Sequence, residues 1–360
     1  MNMNKNIHNF PYEWTLKEAV FTKDKGKVFS CFACGGGSTM GYKLAGFDVL
    51  GCNEIDPKMI ASYKANHNPK YAYLEPIQTF KLREDLPQEL YELDILDGSP
   101  PCSSFSMAGN REKDWGTEKV FREGQAEQIL DTLFFDFIDL AKKLQPKVVI
   151  AENVKGLLLG SAKSYVRRIY KELDEAGYYV QHFLLDASNM GLPQRRERVF
   201  FICLRKDLAT QFLHSSDMFT QLPKIKMEFN EPKIVFNEVK DGKGRDIPKG
   251  LKTAWNLRKN GDIDLSCTND REFNKPNSQF NQNYLYDDIV CGTLVSKEDG
   301  HILFNEGKYL SDTERMKIGS YPLDYNFGKL RTYYLIGMSV PPVMTAQIAK
   351  QVYEQWLSKL

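Results

Sequence analysis

The chain has 360 residues, 42% hydrophobic and 26% charged, and its 48 Lys and Arg against 47 Asp and Glu leave a formal net charge of +1. That is ordinary globular usage, at a length that builds one large domain or two smaller ones. Aromatics at 12% exclude general disorder, and the neutral balance excludes a highly basic nucleic-acid coat protein; a local basic groove survives, because a local field is what steers a polyanion.

Residues 27–33 (KVFSCFA) are β-branched and aromatic and predict a strand, which breaks at Gly35-Gly36-Gly37 before a helix over 38–45. A second strand is predicted over 47–53, ending at the acidic Glu54-Ile55-Asp56. A third over 93–97 ends at Gly98-Ser99-Pro100-Pro101-Cys102. Residues 128–143 carry amphipathic periodicity and predict a helix, followed by a fourth strand over 147–151 that ends at Glu152-Asn153. A helix over 165–176 is stopped by Gly177, and 199–204 (VFFICL) reads as a further strand. This alternation implies an α/β layer structure with a mainly parallel sheet. From about 205 to 305 periodicity fades and Asn, Asp, Lys, Gly and Pro dominate. Helical patterning returns over 311–319, where Ser311-Asp312-Thr313-Glu314 resembles a helix start, and over 346–360.

No run of roughly 18 apolar residues predicts a membrane span. Residues 1–10 lack the apolar stretch of a secretory signal. Seven cysteines, an odd number, suggest reduced thiols in a cytoplasmic protein. Cys31 and Cys34 form a CxxC with no second CxxC or His pair, so unpaired thiols are the plainer reading and no metal is expected.

Ligands of open parallel sheets bind beyond the carboxyl ends of the strands, and the unusual residues fall there. A glycine run lets the backbone approach a ligand, although an ordinary turn explains it equally well on its own. Glu54, about twenty residues on, can accept from both ribose hydroxyls of a nucleoside cofactor. Cys102 follows two prolines that restrict its backbone, and a thiolate is a strong nucleophile; the alternative is a buried structural cysteine. Glu152, closing an apolar strand, can exchange a proton, or it can be a salt-bridged cap. Arg196 and Arg198 alternate before VFFICL, so they would point to one side and hold an anion or a carboxylate, unless they form a solvated edge.

Taken in order, these groups resemble the cytosine-C5 DNA methyltransferases of bacterial or phage type. Phe32-Ala33-Cys34-Gly35-Gly36-Gly37 resembles the first motif of that family and Asn53-Glu54-Ile55-Asp56 the second. Gly98 to Ser106 (GSPPCSSFS) looks like the catalytic Pro-Cys motif, and Leu133-Phe134-Phe135 fits the adenine-pocket segment. Glu152-Asn153-Val154 and Gln194-Arg195-Arg196-Glu197-Arg198 resemble two catalytic-pocket motifs. Gly337-Met338-Ser339-Val340 resembles the closing Gly-Asn-Ser-Val motif. Single motifs have chance matches; their shared order and spacing are specific.

The resemblance implies an S-adenosyl-L-methionine-dependent methyltransferase with a Rossmann-like doubly wound sheet. It implies a catalytic domain over 1–205, an inserted target-recognition domain over 206–305 and a returning segment over 306–360. Cys102 would attack C6 of a flipped cytosine, Glu152 would bond its N3 and N4 edge, Arg196 and Arg198 would hold base or carboxylate, and Asn153 would order the Glu152 loop. Phe32, Ala33, Gly35, Gly36, Gly37, Glu54, Ile55, Pro101, Leu133, Met338 and Ser339 would bind the cofactor. Ser103, Ser106, Arg245, Arg258 and Thr293 would contact double-stranded DNA. A monomer acting in the cytoplasm on the nucleoid, with a cognate restriction endonuclease as a further partner, completes the picture.

The chain departs from the pattern in places. Ser103 stands where Gln is usual and Met338 where Asn is usual. Glu75-Pro76-Ile77 replaces Gly-Asp-Ile, so the acceptor for the adenine amino group is absent or shifted to Glu75. Lys308 and Lys317 lie where Arg is usual. Residues 233–259 hold eight cations against Glu238, Asp241 and Asp246, with Phe236 and Trp255 among them; this fits phosphate contacts or a solvated loop. Base readers are plausible by type at Arg245, Asn256 and Arg258. A tRNA cytosine methyltransferase would carry a Cys-Phe-Thr signature that is not found, and a catalytically silent DNA-binding protein would not need Cys102, Glu152 and Arg198 intact.

Overall fold

The computed structural model describes residues 7–101, 118–119, 128–129, 132–159, 162–215 and 221–360. Its packing divides the chain into two units. The sheet unit comprises Val20–Asp186, Glu197–Phe229 and Met344–Leu360; the second unit comprises Met1–Ala19, Ala187–Arg196 and Asn230–Val343. The packing boundaries therefore lie elsewhere than the compositional breaks near 205 and 305.

The sheet unit runs β1 (Lys27–Cys31), α1 (Gly37–Leu44), β2 (Asp48–Glu54), α2 (Pro57–His67), β3 (Tyr71–Leu74), α3 (Ile77–Phe80), β4 (Ile95–Gly98), α4 (Leu133–Leu144), β5 (Val148–Val154), α5 (Lys163–Glu175), β6 (Tyr178–Asp186) and β7 (Glu197–Arg205). Its seven strands lie in the order β3-β2-β1-β4-β5-β7-β6. The β1–β2, β1–β4, β2–β3 and β4–β5 pairs are parallel, while β7 runs antiparallel to both neighbours. This is the mainly parallel sheet that the alternation predicts, with the doubly wound order that the resemblance implies. The strand order reverses between β1 and β4, so their carboxyl ends flank the crevice where such sheets place ligands.

The central strands are covered on both faces, which is why they read as continuous apolar runs. Every residue of β4 is buried. In α4, Phe134, Phe137, Ile138, Ala141 and Leu144 recur at helical spacing and join Phe29, Phe80 and Phe201 in the main core. Asp56 caps α2 by accepting from the Lys58 and Met59 amides, and Pro57 opens the helix where its missing N–H is harmless.

The sequence reading differs from the structure in several elements, and β3 and α3 are among those it lacks. The helix expected over 128–143 begins at Leu133, and 128–129 instead pair with 118–119. The strand β6 was not expected, because Gln181 and His182 interrupt its apolar pattern; as the sheet's edge it needs only one buried face. The helix α2 has a weak apolar stripe and was missed for that reason.

In the second unit, α6 (Lys249–Asn256), α7 (Leu265–Phe273) and the parallel pair β8 (Asn283–Leu285) and β9 (His301–Leu303) surround a small core of Ile247, Ala254, Leu265, Tyr284, Ile302 and Tyr309. The expected helix start at Ser311 is a capping box that opens α8 (Asp312–Ile318). Then come α9 (Thr332–Met338) and α10 (Pro342–Gln355), within which the chain passes back to the sheet unit. Among the described residues no helix is long and apolar enough to cross a membrane.

Gly51 sits where β2 meets β3, and a Cβ there would stand 1.8 Å from the Tyr71 carbonyl oxygen. Backbone cannot rotate out of the way as a side chain can. Gly51→Ala is expected to lower the unfolding free energy by about 1–3 kcal/mol in urea titration. Wild-type stability would show that β3 can shift to make room.

Candidate active site

The loop after β1 is tightly specified. Phe32, Cys34 and Gly36 all take positive φ, at 53°, 48° and 88°. Glycine is required at 36 for a second reason: a Cβ there would stand 2.3 Å from His67 Nε2. The His67 ring is buried, with Nε2 3.3 Å from the Gly35 carbonyl oxygen. Burial first, then Lys43, pull its pKa down to about 3. The ring is therefore neutral at working pH and supports the loop from beneath. Gly36 thus makes room for His67, which the glycine pattern alone does not reveal.

Glu54 closes β2 and is buried. Its Oε2 accepts from the Cys34 amide at 2.7 Å, and its Oε1 from the Ile55 and Asp56 amides at 2.9 Å each. Burial raises its pKa, and the three amides oppose that rise. The carboxylate is held in place and keeps lone pairs for hydroxyl donors. Glu75 is differently placed. Its carboxylate accepts from Arg83 Nη1 at 2.9 Å and Thr79 Oγ1 at 3.1 Å. It is already committed to those partners.

Asp97, on β4, is a buried carboxylate that the motif reading passed over. Its Oδ2 accepts from Ser30 Oγ at 2.7 Å and Ser38 Oγ at 2.8 Å, and its Oδ1 from Tyr42 Oη at 3.1 Å. It ties β1 and α1 to the strand that leads into Gly98-Ser99-Pro100-Pro101. Burial pushes its pKa up to about 6 against these three hydroxyls, with Glu152 adding to the rise. The available signal was an Asp interrupting an apolar strand. Gly98 follows, where a Cβ would lie 2.5 Å from the Phe137 ring.

Glu152 and Asn153 lie at the carboxyl end of β5, beside β4. Glu152 Oε1 accepts from Arg198 Nε at 3.0 Å, with both side chains largely buried. Glu152 is opposite Phe200 and Arg198 opposite Val154, so the pair is a diagonal one across antiparallel strands. Asn153 Nδ2 donates to the Pro100 carbonyl at 3.2 Å, and its Oδ1 accepts from the Val154 amide. The end of β5 is thereby fastened to the loop leaving β4. Pro101 is half-buried, Leu133 is buried at the head of α4, and Phe32 leans on Phe137 with ring centroids 6.5 Å apart. Cys102, Ser103 and Ser106 lie outside the described residues.

The second unit holds the rest of the candidates. Arg196 is buried and does not share the task of Arg198. Its Nη1 donates to the Leu294 carbonyl at 3.0 Å, and its Nη2 to the Gly337 and Ser339 carbonyls at 3.1 and 3.0 Å. It fastens the closing motif to the 291–296 segment. Gly337 is required there, since a Cβ would lie 2.4 Å from the Ser296 amide nitrogen. Ser339 Oγ accepts from Tyr321 Oη and donates to the Leu335 carbonyl, whereas Met338 is 43% exposed. Thr293 Oγ1 donates to the Arg195 carbonyl at 2.9 Å.

The expected cationic excess over 233–259 is largely compensated. Lys240 pairs with Asp287 and Glu306, Lys252 with Asp246, Lys259 with Glu272 and Arg245 with Glu298. Lys233 donates to Ser188 and Asn189. Arg258 covers the Trp255 ring at 3.7 Å and donates to the Phe304 and Trp255 carbonyls, which makes it a packing residue of this unit. Lys308 donates to the Gly242 carbonyl and Lys317 pairs with Glu13. The acids that neutralise the cluster come mostly from 262–306, distant in sequence, so a local window could not show them.

The model of the C-5 cytosine-specific DNA methylase family matches residues 26–354. The chain belongs to this family. Type II methyltransferase M.FnuDI of Fusobacterium nucleatum is 37% identical over 182 residues, or 51% of this chain and 48% of that protein. The match therefore spans about half the length of that curated relative. Type II methyltransferase M1.HphI of Haemophilus parahaemolyticus is 27% identical over 350 residues, 89% of this chain and 85% of that protein. The fold is similar to that of a solved DNMT2 variant of Spodoptera frugiperda, with a TM-score of 0.59 at 17% identity, covering 91% of this chain and 99% of that one. The methyltransferase fold expected from the sequence is the fold observed.

Within this family member, Asp97 has a testable cost. Its folded pKa of about 6 lies above its ordinary value of 3.8. The stability it contributes is therefore complete below pH 3.8 and lost as pH rises through 6, a change of about 3 kcal/mol. Urea unfolding at pH 4.5 and 8 should show Asp97→Asn gaining on the wild type as pH rises. Identical pH dependence in the two proteins would contradict the assignment.

Proposed function

We propose that the chain is a DNA (cytosine-5-)-methyltransferase that uses S-adenosyl-L-methionine. The observation that carries this is the clamped Glu152 carboxylate, held by Arg198 at the end of β5 while Asn153 grips Pro100, two residues before Cys102. Family membership supports the same reading.

The chemistry explains why these residue types are needed. C5 of cytosine is a poor nucleophile and is enclosed in the stack, so the base must be flipped out. The Cys102 thiolate forms a bond to C6, and the displaced electron pair moves toward C5 and the N3 edge. Glu152, carrying a proton on Oε2, donates it to N3 and accepts from the N4 amino group, which neutralises that charge as it develops; the proton returns to Glu152 when Cys102 leaves. Arg198 engages Oε1 and leaves Oε2 for the base. Loss of the C5 proton to a base such as water then breaks the C6–S bond and frees Cys102.

When bound, S-adenosyl-L-methionine supplies the electrophilic methyl group that C5 receives. The donor set of the sheet unit fits it: Glu54 offers a fixed carboxylate to the ribose hydroxyls, Phe32, Ala33, Gly35, Gly36, Ile55 and Pro101 follow the ends of β1, β2 and β4, and Gly37 and Leu133 open α1 and α4. With Glu75 bonded to Arg83, the adenine amino group needs another acceptor. Met338 and Ser339 join the cofactor set through their motif. Arg196 is proposed as a positioning residue for that motif. Residues 206–305 are proposed as the target-recognition region, with Ser103, Ser106, Arg245 and Thr293 on DNA and Arg258 as internal support. M.FnuDI and M1.HphI are named Type II methyltransferases, which supports a cognate restriction endonuclease as partner.

Methyl transfer from labelled S-adenosyl-L-methionine to duplex DNA tests the reading. Cys102→Ala should abolish transfer and keep DNA binding, and Glu152→Gln should lower kcat by about 10²–10³-fold. Retained transfer in Cys102→Ala would overturn the assigned nucleophile. The exposed Met338 predicts weaker cofactor binding than the family's usual Asn provides. Met338→Asn should therefore tighten a S-adenosyl-L-methionine titration, and equal affinity would discard that role.

A further inference from the structure

The second unit contains an open concavity of about 620 Å³, lined by Arg245, Gln282, Lys297, Glu298, Tyr309 and Tyr333 among others. Arg245 is one of its two cations. Its Nε lies 2.8 Å from Glu298 Oε1 and its Nη2 2.9 Å from Glu298 Oε2, a bidentate fork. Its guanidinium carbon lies 5.2 Å from the centroid of the buried Tyr309 ring. The Tyr309 amide in turn donates to the Arg245 carbonyl at 2.9 Å. Glu298 is itself fixed, because its carbonyl accepts from the buried Arg315. Even so, the Arg245 side chain remains 60% exposed.

The ordinary fate of an exposed Arg–Glu pair is a surface bridge worth about 0–1 kcal/mol. Here a two-bond fork to Glu298 and the face of Tyr309 hold one side chain that would otherwise move freely in water. The fork uses Nε–H and one Nη2–H, both on the same side of the guanidinium. Three of the five donors remain, including the paired Nη1 and Nη2 hydrogens on the end-on edge. That edge matches the O6 and N7 acceptors of guanine in a major groove, the commonest specific contact of Arg with a base. Holding the side chain in advance removes most of the ordering cost of that contact.

We propose that Arg245, oriented by Glu298 and Tyr309, is a specificity-determining residue that reads one guanine of the target duplex. This rests on the DNA methyltransferase reading above and adds a base and a residue to it. Glu298 acts through Arg245 as a positioning residue. A phosphate contact by the same guanidinium is the competing assignment, and it makes a different prediction. A base contact affects one position of the site, whereas a phosphate contact weakens all sequences alike and lowers the salt slope by about one.

The test is methylation of a duplex library in which the positions around the modified cytosine are randomised. Wild type, Arg245→Lys, Arg245→Ala and Glu298→Gln are compared by sequencing the methylated products at two salt concentrations. The proposal expects the wild type to require guanine at one position. Arg245→Ala should relax that requirement by about 5–150-fold and keep the preferences elsewhere. Arg245→Lys should fall between, since one ammonium cannot reproduce the fork. Glu298→Gln should relax the same position by less. A uniform loss across sequences with a shallower salt slope would overturn the proposal in favour of a phosphate contact. Unchanged preferences in active Arg245→Lys and Glu298→Gln would also overturn it. A wild-type protein inactive on every duplex would sink the parent reading, and this one with it.

Discussion

A buried carboxylate must be satisfied or it does not stay ionised, and Asp97 places that demand at the switch point of the sheet. Three hydroxyls, from β1 and α1, converge on it. Meeting the demand joins the strand that leads into the glycine-rich loop to the strand that leads into Pro100 and Pro101. Asn153 adds a third strand by holding the Pro100 carbonyl. The chemistry-bearing loops are thus tethered by polar bonds in a region where packing is otherwise apolar. Hydrophobic contact alone would locate these strands but would leave their ends free to adjust.

The same economy recurs at smaller scale. Glu54 is fixed by the amides of its own turn and of the neighbouring loop, Glu152 by one guanidinium across β5 and β7, and the closing motif by Arg196 through three carbonyls. Glu54, Glu152 and the closing motif each have a partner that sets their orientation. Sites built this way lose little order when substrate arrives.

Much of this was legible in the sequence. The strand ends were found because β1, β2, β4 and β5 are buried on both faces and read as unbroken apolar runs. Glu54, Glu152 and Arg198 stood out because charges rarely end such runs without a reason. What stayed hidden had physical causes. Strand β6 is half-exposed and carries His182 in its middle. The buried role of Asp97 depends on Ser30, Ser38 and Tyr42, which look unremarkable one at a time. Arg196 and Arg198 are two residues apart and do different work, because β7 begins between them at Glu197. The basic stretch over 233–259 promised free cations, but acids from 262–306 pair with Lys240, Arg245 and Lys259, and Arg258 is turned inward onto Trp255. The positive excess that the local window shows is thus reduced by acids distant in sequence.

The central claim is that this fold methylates cytosine in duplex DNA at C5. The most direct measurement is conversion-based sequencing of DNA and of tRNA from cells expressing the protein, set against cells expressing Cys102→Ala. The account predicts protected cytosines in DNA at one recurring sequence, present with the wild type and absent with the variant. Protection confined to tRNA, or unmodified DNA with active protein in the cell, would contradict it.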